Sequence, residues 1–289
     1  PHLWKRLLYG IRFLRRVWKL RGAYNAVLVH LSDESLLLAG LLWRLQGVRV
    51  ALWHNTKTST IRTRLATYLA DVVFYTSPDS YVATLKNARR IPMGVDQTPY
   101  VATRRTSHKG TLLFLGRITP HKHLDVVMQA LRRMNDEGYQ AKMDIYGLPH
   151  VTDEVYEKQL RLESSDLEQS GVLTYHGSVH HADTCQVYAS HDIFINLSSG
   201  AGFGRTLYEA MAAGCIIISS NPELKDVINP KLFLKEVTVD ALVQAIIAAQ
   251  TLTEADAENE RAIVRAYTAR EHALTTIVPR MLDSISKLA

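Results

Sequence analysis

Residues 193–219 read IFINLSSGAGFGRTLYEAMAAGCIIIS, a strand pattern followed by a glycine-rich turn, a helix pattern and a second strand pattern. The turn holds three alternate glycines, the last of them Gly204, immediately before the predicted helix Arg205–Ala213. Glycines let backbone N–H groups approach a ligand closely, and a helix start adds orphan donors and partial positive charge. We predict that Ser198–Gly214 holds phosphate groups; the alternative is a tight strand-to-helix turn without a ligand.

The glycine spacing does not match the dinucleotide pattern G-x-G-x-x-G, because Arg205 stands where the third glycine is required. A carboxylate, Glu209, follows one turn into the predicted helix. An acidic residue can accept hydrogen bonds from ribose hydroxyls, although a solvated helix glutamate is the commoner case. The pattern therefore favours phosphate binding and makes a nicotinamide-dependent dehydrogenase the least favoured enzyme class.

Strand and helix patterns alternate along nearly the whole chain. Eight apolar runs predict strands, with segments of helical apolar spacing between them; the runs are 26–30, 48–53, 72–75, 111–115, 141–146, 172–175, 193–196 and 215–219. Such alternation predicts an α/β fold of parallel sheets covered by helices on both faces. Ligands of these sheets bind beyond the carboxyl ends of the strands.

The segment Asp96–Lys109 interrupts the alternation with a proline, paired arginines and small polar residues, and we interpret it as an interdomain linker. The chain then divides into residues 1–106 and residues 107–289, two Rossmann-like domains that face a cleft. The first domain opens on a helix, so we expect it to lack at least one βα unit of roughly 30 residues. A helical pattern, Glu254–Leu288, interrupted by Pro279, ends the chain and is a candidate to cross back to the first domain.

Composition limits the classes of function. The chain has 289 residues and 47% hydrophobic content, enough for two compact domains, and its two cysteines provide no disulfide framework. Residues 1–105 carry 17 Lys and Arg against 5 Asp and Glu, whereas the remainder carries 17 against 23. A basic half indicates phosphorylated substrates, anionic lipid or nucleic acid. We expect no nucleic-acid partner, because the sequence has no zinc-finger spacing and no RNA-binding aromatic signature.

A second basic constellation begins where a predicted strand ends, at Gly116-Arg117, with Lys122 five residues further on. Two fixed cations can neutralise a diphosphate without a metal ion and stabilise the charge on a leaving group. Taken alone, both residues also fit ordinary surface positions. His121 and His123 flank Lys122, but no third ligand is placed near them in the sequence, so we predict no metal site.

In order along the chain, these segments resemble one family. They are similar to the donor domain of retaining glycosyltransferases with the GT-B fold, the large family 4, at FLGRITPHK (114–122), IYG (145–147), YHG (175–177), FINLSS (194–199), GFG (202–204) and EAMAAG (209–214). The match spans about residues 111–220. A fainter resemblance lies at WHN (53–55) and IPMGVD (91–96).

The resemblance implies transfer of a sugar from a nucleotide-diphosphate donor to a glycan or lipid-linked acceptor, in the cytoplasm, with retention of configuration and without a metal cofactor. It implies that Arg117 and Lys122 bind the diphosphate, that Glu209 holds the ribose, and that His54 reaches the transferred sugar. By the same resemblance the donor site includes Gly116, Gly147, Ser199, Ala201, Gly202, Phe203, Gly204, Thr206 and Leu207.

One position departs from the family pattern. The E-x7-E motif places a glutamate eight residues before Glu209, where this chain has Ala201. In relatives that carboxylate contacts the donor sugar, so three explanations stay open: an altered donor sugar, an engineered knockout and a natural non-catalytic member. A nucleotide-sugar-binding or scaffold protein is therefore the main alternative to a transferase, and a sugar-nucleotide epimerase is another.

The first predicted helix, Leu3–Leu20, is strongly basic. Residues 3–21 carry seven Lys and Arg side chains and no acidic one, and their apolar side chains recur at helical spacing: Trp4, Leu7, Leu8, Ile11, Leu14 and Trp18. This stripe either packs on the sheet of its own domain or docks on an anionic membrane surface, where lipid-linked acceptors are found. We hypothesise peripheral association with the cytoplasmic face of a membrane.

Overall fold

The computed structural model describes residues 3–103, 105–106, 109–198 and 204–287. Contacts divide the chain into unit 1, Pro1–Met93 with Ile277–Ala289, and unit 2, Gly94–Thr276. The strands of the described residues are β1 Ala26–His30, β2 Arg49–Trp53, β3 Val72–Tyr75, β4 Ala88–Arg90, β5 Thr111–Leu115, β6 Lys142–Tyr146, β7 Leu173–Gly177, β8 Ile193–Asn196 and β9 Ile216–Ser219.

Most α-helices of the same residues lie between successive strands; α1 precedes the first strand and three helices follow the last one. They are α1 Leu3–Lys19, α2 Asp33–Leu45, α3 Ile61–Leu69, α4 Thr98–Ala102, α5 Leu124–Asp136, α6 Glu154–Glu163, α7 Ser165–Gln169, α8 Thr184–Ser190, α9 Arg205–Ala213, α10 Val239–Gln250, α11 Glu254–Glu271 and α12 Leu274–Ser286. Both sheets are parallel, which confirms the predicted α/β class.

Unit 1 is built on a four-stranded sheet in the order β1-β2-β3-β4. Helix α2 begins after Ser32, whose side-chain oxygen accepts a hydrogen bond from the Ser35 N–H, and it buries Leu36 and Trp43. Helix α1 packs against α2 through Phe13, whose ring meets the edge of the Trp43 ring at 6.2 Å between centroids. The C-terminal half of α1 is thereby fixed to the core of unit 1, where Val17 is buried.

The apolar stripe predicted on α1 is not the face that packs. Leu14 alone among its six residues lies against the core of unit 1. The other five are exposed: Trp4, Leu7, Leu8, Ile11 and Trp18. The packing of unit 1 therefore uses Phe13, Leu14 and Val17 and leaves the other five residues of the predicted stripe exposed.

Unit 2 is built on a five-stranded sheet in the order β7-β6-β5-β8-β9. Every residue of β8 and β9 is buried, and β5 is buried at four of its five positions. Parallel strands covered on both faces need continuous apolar runs, which is the pattern that these three strands carry. Strand β5 pairs with β6 on one side and with β8 on the other.

The segment predicted as a linker, Asp96–Lys109, is instead largely part of unit 2, and the units divide after Met93 rather than after residue 106. Its helix α4 buries Tyr100, whose ring contacts that of Tyr188 at 5.8 Å between centroids. Further along, Arg105 Nη2 donates to the backbone oxygen of His191 at 2.8 Å. The linker interpretation failed because proline, arginine and small polar residues are typical of loops, whereas here the tyrosine and the arginine are anchored.

The end of the chain also differs from its sequence pattern. The break between α11 and α12 lies at His272 and Ala273, where Ala273 forms a parallel bridge with Val95, and Pro279 is inside α12. The apolar face of α12 packs on the sheet of unit 1; the residues in this contact are Ala51, Val72, Phe74, Ile91, Ile277, Met281 and Ile285. Residues from Ile277 onward therefore belong to unit 1.

A buried carboxylate, Asp192, ties together three parts of unit 2. It lies 2.7 Å from Arg261 Nη2 and 3.6 Å from Arg105 Nη2, and it accepts a hydrogen bond from the Gly110 N–H at 2.9 Å. A buried carboxylate is costly unless it is paired and hydrogen-bonded, and here both conditions are met. This cluster fixes α11 and the segment before β5 to the start of β8.

Replacing the buried carboxylate should destabilise unit 2 selectively. We expect Asp192→Ala to lower its free energy of unfolding by about 3 kcal/mol, because two guanidinium groups lose a buried partner. The exposed ion pair of Asp166 with Arg132 provides the control, and Asp166→Ala should cost less than about 1 kcal/mol. Hydrogen exchange of residues 193–219 measures the stability of unit 2. Tryptophan fluorescence reports on unit 1 instead, because all four tryptophans precede residue 54. Equal losses of unfolding free energy in Asp192→Ala and Asp166→Ala would contradict the stabilising role given to Asp192.

Candidate functional site

The order of the strands in unit 2 creates a crevice between β5 and β8. From β5 the chain builds the sheet first towards β6 and β7 and later, in the opposite direction, towards β8 and β9. The connections at the carboxyl ends of β5 and β8 therefore leave towards opposite sides, which opens a crevice where α/β proteins bind ligands. Strand β5 leads into Gly116–Lys122, and β8 leads into the glycine-rich segment that ends at Gly204.

A cavity of about 420 Å³ lies at this place. Five of the predicted site residues line it: Gly116, Arg117, Lys122, Gly204 and Thr206. They come from two sequence segments far apart in the chain, so their meeting is a result of the fold. The cavity is also lined by residues that the sequence did not single out as ligand contacts: Thr119, His121, His150, Thr152 and Asp153.

The two cations of the cavity act on each other. Arg117 is exposed, whereas Lys122 is partly buried in a short 3-10 helix, Pro120–Lys122. Burial, together with the positive charge of Arg117, lowers the pKa of Lys122 to about 8. Both causes disfavour the ammonium form, and an anionic group in the cavity would offset them. The pair is therefore suited to a ligand with more than one negative charge.

The start of helix α9 forms another wall of the cavity. Gly204 occupies the N-cap position, and no side-chain hydrogen bond caps this end among the described residues. The first N–H groups of an α-helix have no partner within the helix and carry partial positive charge. A Cβ added to Gly116 would lie 4.0 Å from Thr206 Oγ1, so the two segments approach closely. Cations and helix N–H donors thus border one space.

Gly147, another residue predicted for the site, packs against the backbone of Gly116. It does not appear among the residues that line the cavity, and a Cβ at this position would lie 1.8 Å from the carbonyl oxygen of Gly116. Such a contact is far inside van der Waals distance, so only glycine fits there. The Gly116 N–H donates to the Tyr146 oxygen at 2.9 Å, and the Gly147 N–H donates to Gly177 at 2.7 Å. Gly147 thereby fixes the segment that carries Arg117.

Glu209 is buried behind the cavity, with 4% of its surface exposed. The hydroxyl of Tyr188 donates to Glu209 Oε2 at 3.1 Å and also lies 3.1 Å from the Thr206 backbone oxygen. Burial, and then the Glu209 charge, raise the pKa of Tyr188 well above its ordinary value, and chiefly burial raises that of Tyr100 to about 12. Both phenols stay protonated, so Tyr188 holds the carboxylate in one orientation. Leu207, also predicted for the site, is fully buried.

The centre of the glycine-rich loop lies outside the described residues. This concerns the predicted contacts Ser199, Ala201, Gly202 and Phe203. The loop is entered from Ser198, a buried residue whose Oγ has no hydrogen-bond partner among the described residues. The same holds for two further buried oxygens near the ends of β5 and β8, Thr119 Oγ1 and Asn196 Oδ1. Buried polar atoms normally have partners, so these three atoms mark a place where a ligand or water completes the structure.

His54 lies in unit 1, at the end of β2. Its Nε2 is 3.1 Å from Asp33 Oδ1, and Asp33 Oδ2 accepts a hydrogen bond from the Thr63 hydroxyl at 2.8 Å. The other ring nitrogen, Nδ1, is buried and has no hydrogen-bond partner within the described part of the chain. A carboxylate that holds one nitrogen of a histidine fixes the ring and leaves the other nitrogen for a ligand.

The segment His150–Asp153 is the part of the site that the sequence analysis missed. It follows β6, and His150 Nδ1 accepts a hydrogen bond from the Thr152 N–H at 3.4 Å. A signal existed, because the carboxyl end of β6 lies at the same edge of the sheet as that of β5. Within the described ranges no group of three or more His, Cys, Asp or Glu side chains is arranged to hold a metal ion.

Comparison with known proteins identifies the family of unit 2. The model of the family "Glycosyl transferases group 1" matches residues 102–267. A curated relative, the GtfA subunit of the UDP-N-acetylglucosamine–peptide N-acetylglucosaminyltransferase of Streptococcus gordonii, is 28% identical over 129 residues, 44% of this chain and 24% of that protein. Alpha-monoglucosyldiacylglycerol synthase of Streptococcus pneumoniae is 27% identical over 150 residues, 50% of this chain and 33% of that protein. The matches thus span a quarter to a third of these relatives.

Solved structures show the same fold over nearly the whole chain. Alr3699/HepE of Anabaena, in complex with UDP and glucose, superposes with a TM-score of 0.74 at 16% identity and covers 95% of this chain and 80% of its own. A glycosyltransferase of Rickettsia africae reaches 0.79 at 15% identity, over 96% and 81%. This is the fold of GT-B glycosyltransferases, as the sequence predicted. Since the family model covers more than half of the residues, the chain belongs to group 1 of the glycosyl transferases.

Proposed function

We propose that this chain is a retaining glycosyltransferase that moves a sugar from a nucleotide-diphosphate sugar to a glycan or lipid-linked acceptor. The observation that carries the proposal is the cavity at the carboxyl ends of β5 and β8, where Arg117, Lys122 and the start of α9 surround one space. Solved relatives of the same fold hold UDP or UDP-glucose, which supports a donor of this class.

In the proposed reaction, catalysis depends mainly on electrostatic stabilisation of the leaving group. The bond between the anomeric carbon and the diphosphate oxygen breaks, and negative charge develops on the departing phosphate. Arg117 and Lys122 stabilise that charge in place of a metal ion. The acceptor hydroxyl attacks from the face that the diphosphate leaves and gives up its proton to a departing phosphate oxygen, which retains the anomeric configuration. Glu209 holds the ribose in this proposal, and His54 contacts the transferred sugar.

A second candidate is a member of the family that binds nucleotide sugars without catalysing transfer. Ala201 is the observation that favours it, since the family pattern has a glutamate there. Calorimetry with UDP followed by a turnover assay separates the two candidates. A transferase with an altered donor site should turn over some nucleotide sugar in the wild type. If it does not, turnover should appear in the Ala201→Glu variant. Binding without turnover in both proteins favours the non-catalytic candidate.

We also propose that the protein works at an anionic membrane surface. The exposed stripe of α1, from Trp4 to Trp18, supports this, because apolar side chains next to basic ones are typical of helices that lie in the membrane interface. None of the described helices is both long and apolar enough to cross a bilayer. We propose a peripheral contact, in which lipid-linked acceptors would be reached from the membrane surface.

Removal of either cation should weaken donor binding and stop transfer. Each of Arg117→Ala and Lys122→Ala should raise the Kd for UDP by about 10- to 100-fold, since each removes a charge-assisted contact with phosphate. Lys142→Ala is the matched control, because Lys142 is an exposed cation at the opposite end of the same sheet. Unchanged UDP binding and turnover in both cavity variants would refute the assignment of the diphosphate site.

Donor affinity should fall as the pH rises through about 8. Lys122 has a lowered pKa of about 8 and binds phosphate only in its protonated form, whereas UDP is already fully ionised above about pH 7. Between pH 7 and pH 9 we expect the Kd for UDP to increase about tenfold in the wild type. Lys122→Arg keeps its charge over this range and should give a flat profile. A wild-type Kd that does not change with pH would show that Lys122 is not a phosphate ligand.

A further inference from the structure

We infer that the groove between α1 and α2 of unit 1 binds the hydrocarbon chain of an anionic lipid, with the phosphate head at the N-terminal end of α2. The inference rests on the proposed function, since it names the acceptor class as a lipid phosphate. The groove has a volume of about 650 Å³, within the usual size range of small-molecule sites.

One end of the groove is apolar. Helix α1 contributes Tyr9, Gly10 and Phe13, which lie three and four residues apart on one face, and α2 contributes Leu37 and Leu38. A Cβ added to Gly10 would meet only Leu38 Cδ1, at 3.8 Å. The missing side chain at Gly10 therefore leaves space beside Leu38, and one turn later Phe13 closes the contact onto Trp43. Hydrocarbon is the ligand chemistry that such walls favour.

The other end of the groove is polar and lies at the carboxyl end of β1. Ser32 and Ser35 line it, with their hydroxyls 2.8 Å apart, together with Arg6. The acidic residue of this end, Glu34, lies 3.2 Å from Arg62, which offsets its charge. A ligand with one polar end and one apolar end therefore fits the groove in a single direction.

The polar end adjoins the histidine predicted to take part in transfer. Asp33 stands between Ser32 and Glu34 in the sequence, and its Oδ1 lies 3.1 Å from His54 Nε2. A phosphate head at Ser32 and Arg6 would thus be placed beside the His54–Asp33 pair at the carboxyl edge of the sheet. This neighbourhood is what an acceptor needs, because its nucleophilic oxygen belongs to the head and not to the chain.

The charge of α1 selects an anionic lipid. The helix carries six Lys and Arg side chains and no acidic residue: Lys5, Arg6, Arg12, Arg15, Arg16 and Lys19. Arg21 follows just after its end. Clusters of this kind concentrate anionic lipid near a surface. The exposed apolar stripe of the same helix leads from the groove to the membrane interface, so a lipid could enter without leaving an apolar environment.

The test uses octyl phosphate as a single-chain probe, below its micelle concentration, with binding measured by calorimetry. We expect wild-type protein to bind it about two orders of magnitude more tightly than butyl phosphate, because four more CH₂ groups are buried. Gly10→Leu fills the groove with a better helix former and should weaken binding at least tenfold while the fold is kept. Leu38→Ser should weaken binding as well.

Leu7→Ser is the matched control, since Leu7 is exposed on the same helix and does not line the groove. It should leave octyl phosphate binding unchanged and reduce co-sedimentation with vesicles of phosphatidylglycerol and phosphatidylcholine. Equal binding of octyl and butyl phosphate, or full binding by Gly10→Leu, would overturn the groove assignment. Protein that binds UDP but not octyl phosphate overturns only this inference, whereas protein that binds octyl phosphate but not UDP overturns the proposed donor site.

Discussion

The pairing of β5 with β8 is the constraint on which the candidate site depends. Leu112 and Leu113 are in register with Ile193 and Phe194, and all four side chains are buried. This pairing places the end of β5, with Arg117 and Lys122, beside the end of β8, with the start of α9. Neither segment forms a site alone, because surface cations are weak phosphate ligands and a helix start is common to every helix. Together they border one cavity, and the close contact of Gly116 with Gly147 fixes the segment that carries the cations.

Burial sets the chemistry of this arrangement as much as charge does. The pKa of Lys122 is lowered because its ammonium group is partly buried and lies near the positive charge of Arg117. In the free protein this arrangement has an electrostatic cost, which an anionic ligand would offset. The carboxylate of Glu209 is also buried, and the Tyr188 hydroxyl donates a hydrogen bond that keeps it in one orientation. Both side chains of the candidate site are thus positioned before any ligand arrives. Unit 1 differs in its surface, because helix α1 exposes apolar side chains beside basic ones.

Much of this could be predicted from the sequence where local pattern and fold agree. The runs at 26–30, 72–75, 111–115 and 193–196 coincide with strands. The last three of these strands are largely buried, and buried parallel strands need uninterrupted apolar residues. Strand β4 was missed, since its three residues include Arg89 and Arg90 and pair only at an edge of the sheet. Tertiary contacts with residues distant in sequence determine the burial of Tyr100 and Arg105 and the position of His150. A local sequence pattern does not contain this information. The close packing of Gly147 could not be predicted for the same reason, because the atom that excludes a side chain there belongs to Gly116.

The central claim is that a nucleotide diphosphate binds at the carboxyl ends of β5 and β8. Hydrogen–deuterium exchange with and without UDP tests it most directly, because it locates the ligand without requiring turnover. The account predicts that UDP slows exchange in residues 116–123 and 204–210 and leaves residues 254–265, at the buried Asp192 cluster, unchanged. Protection confined to other segments, or none at saturating UDP, would contradict it.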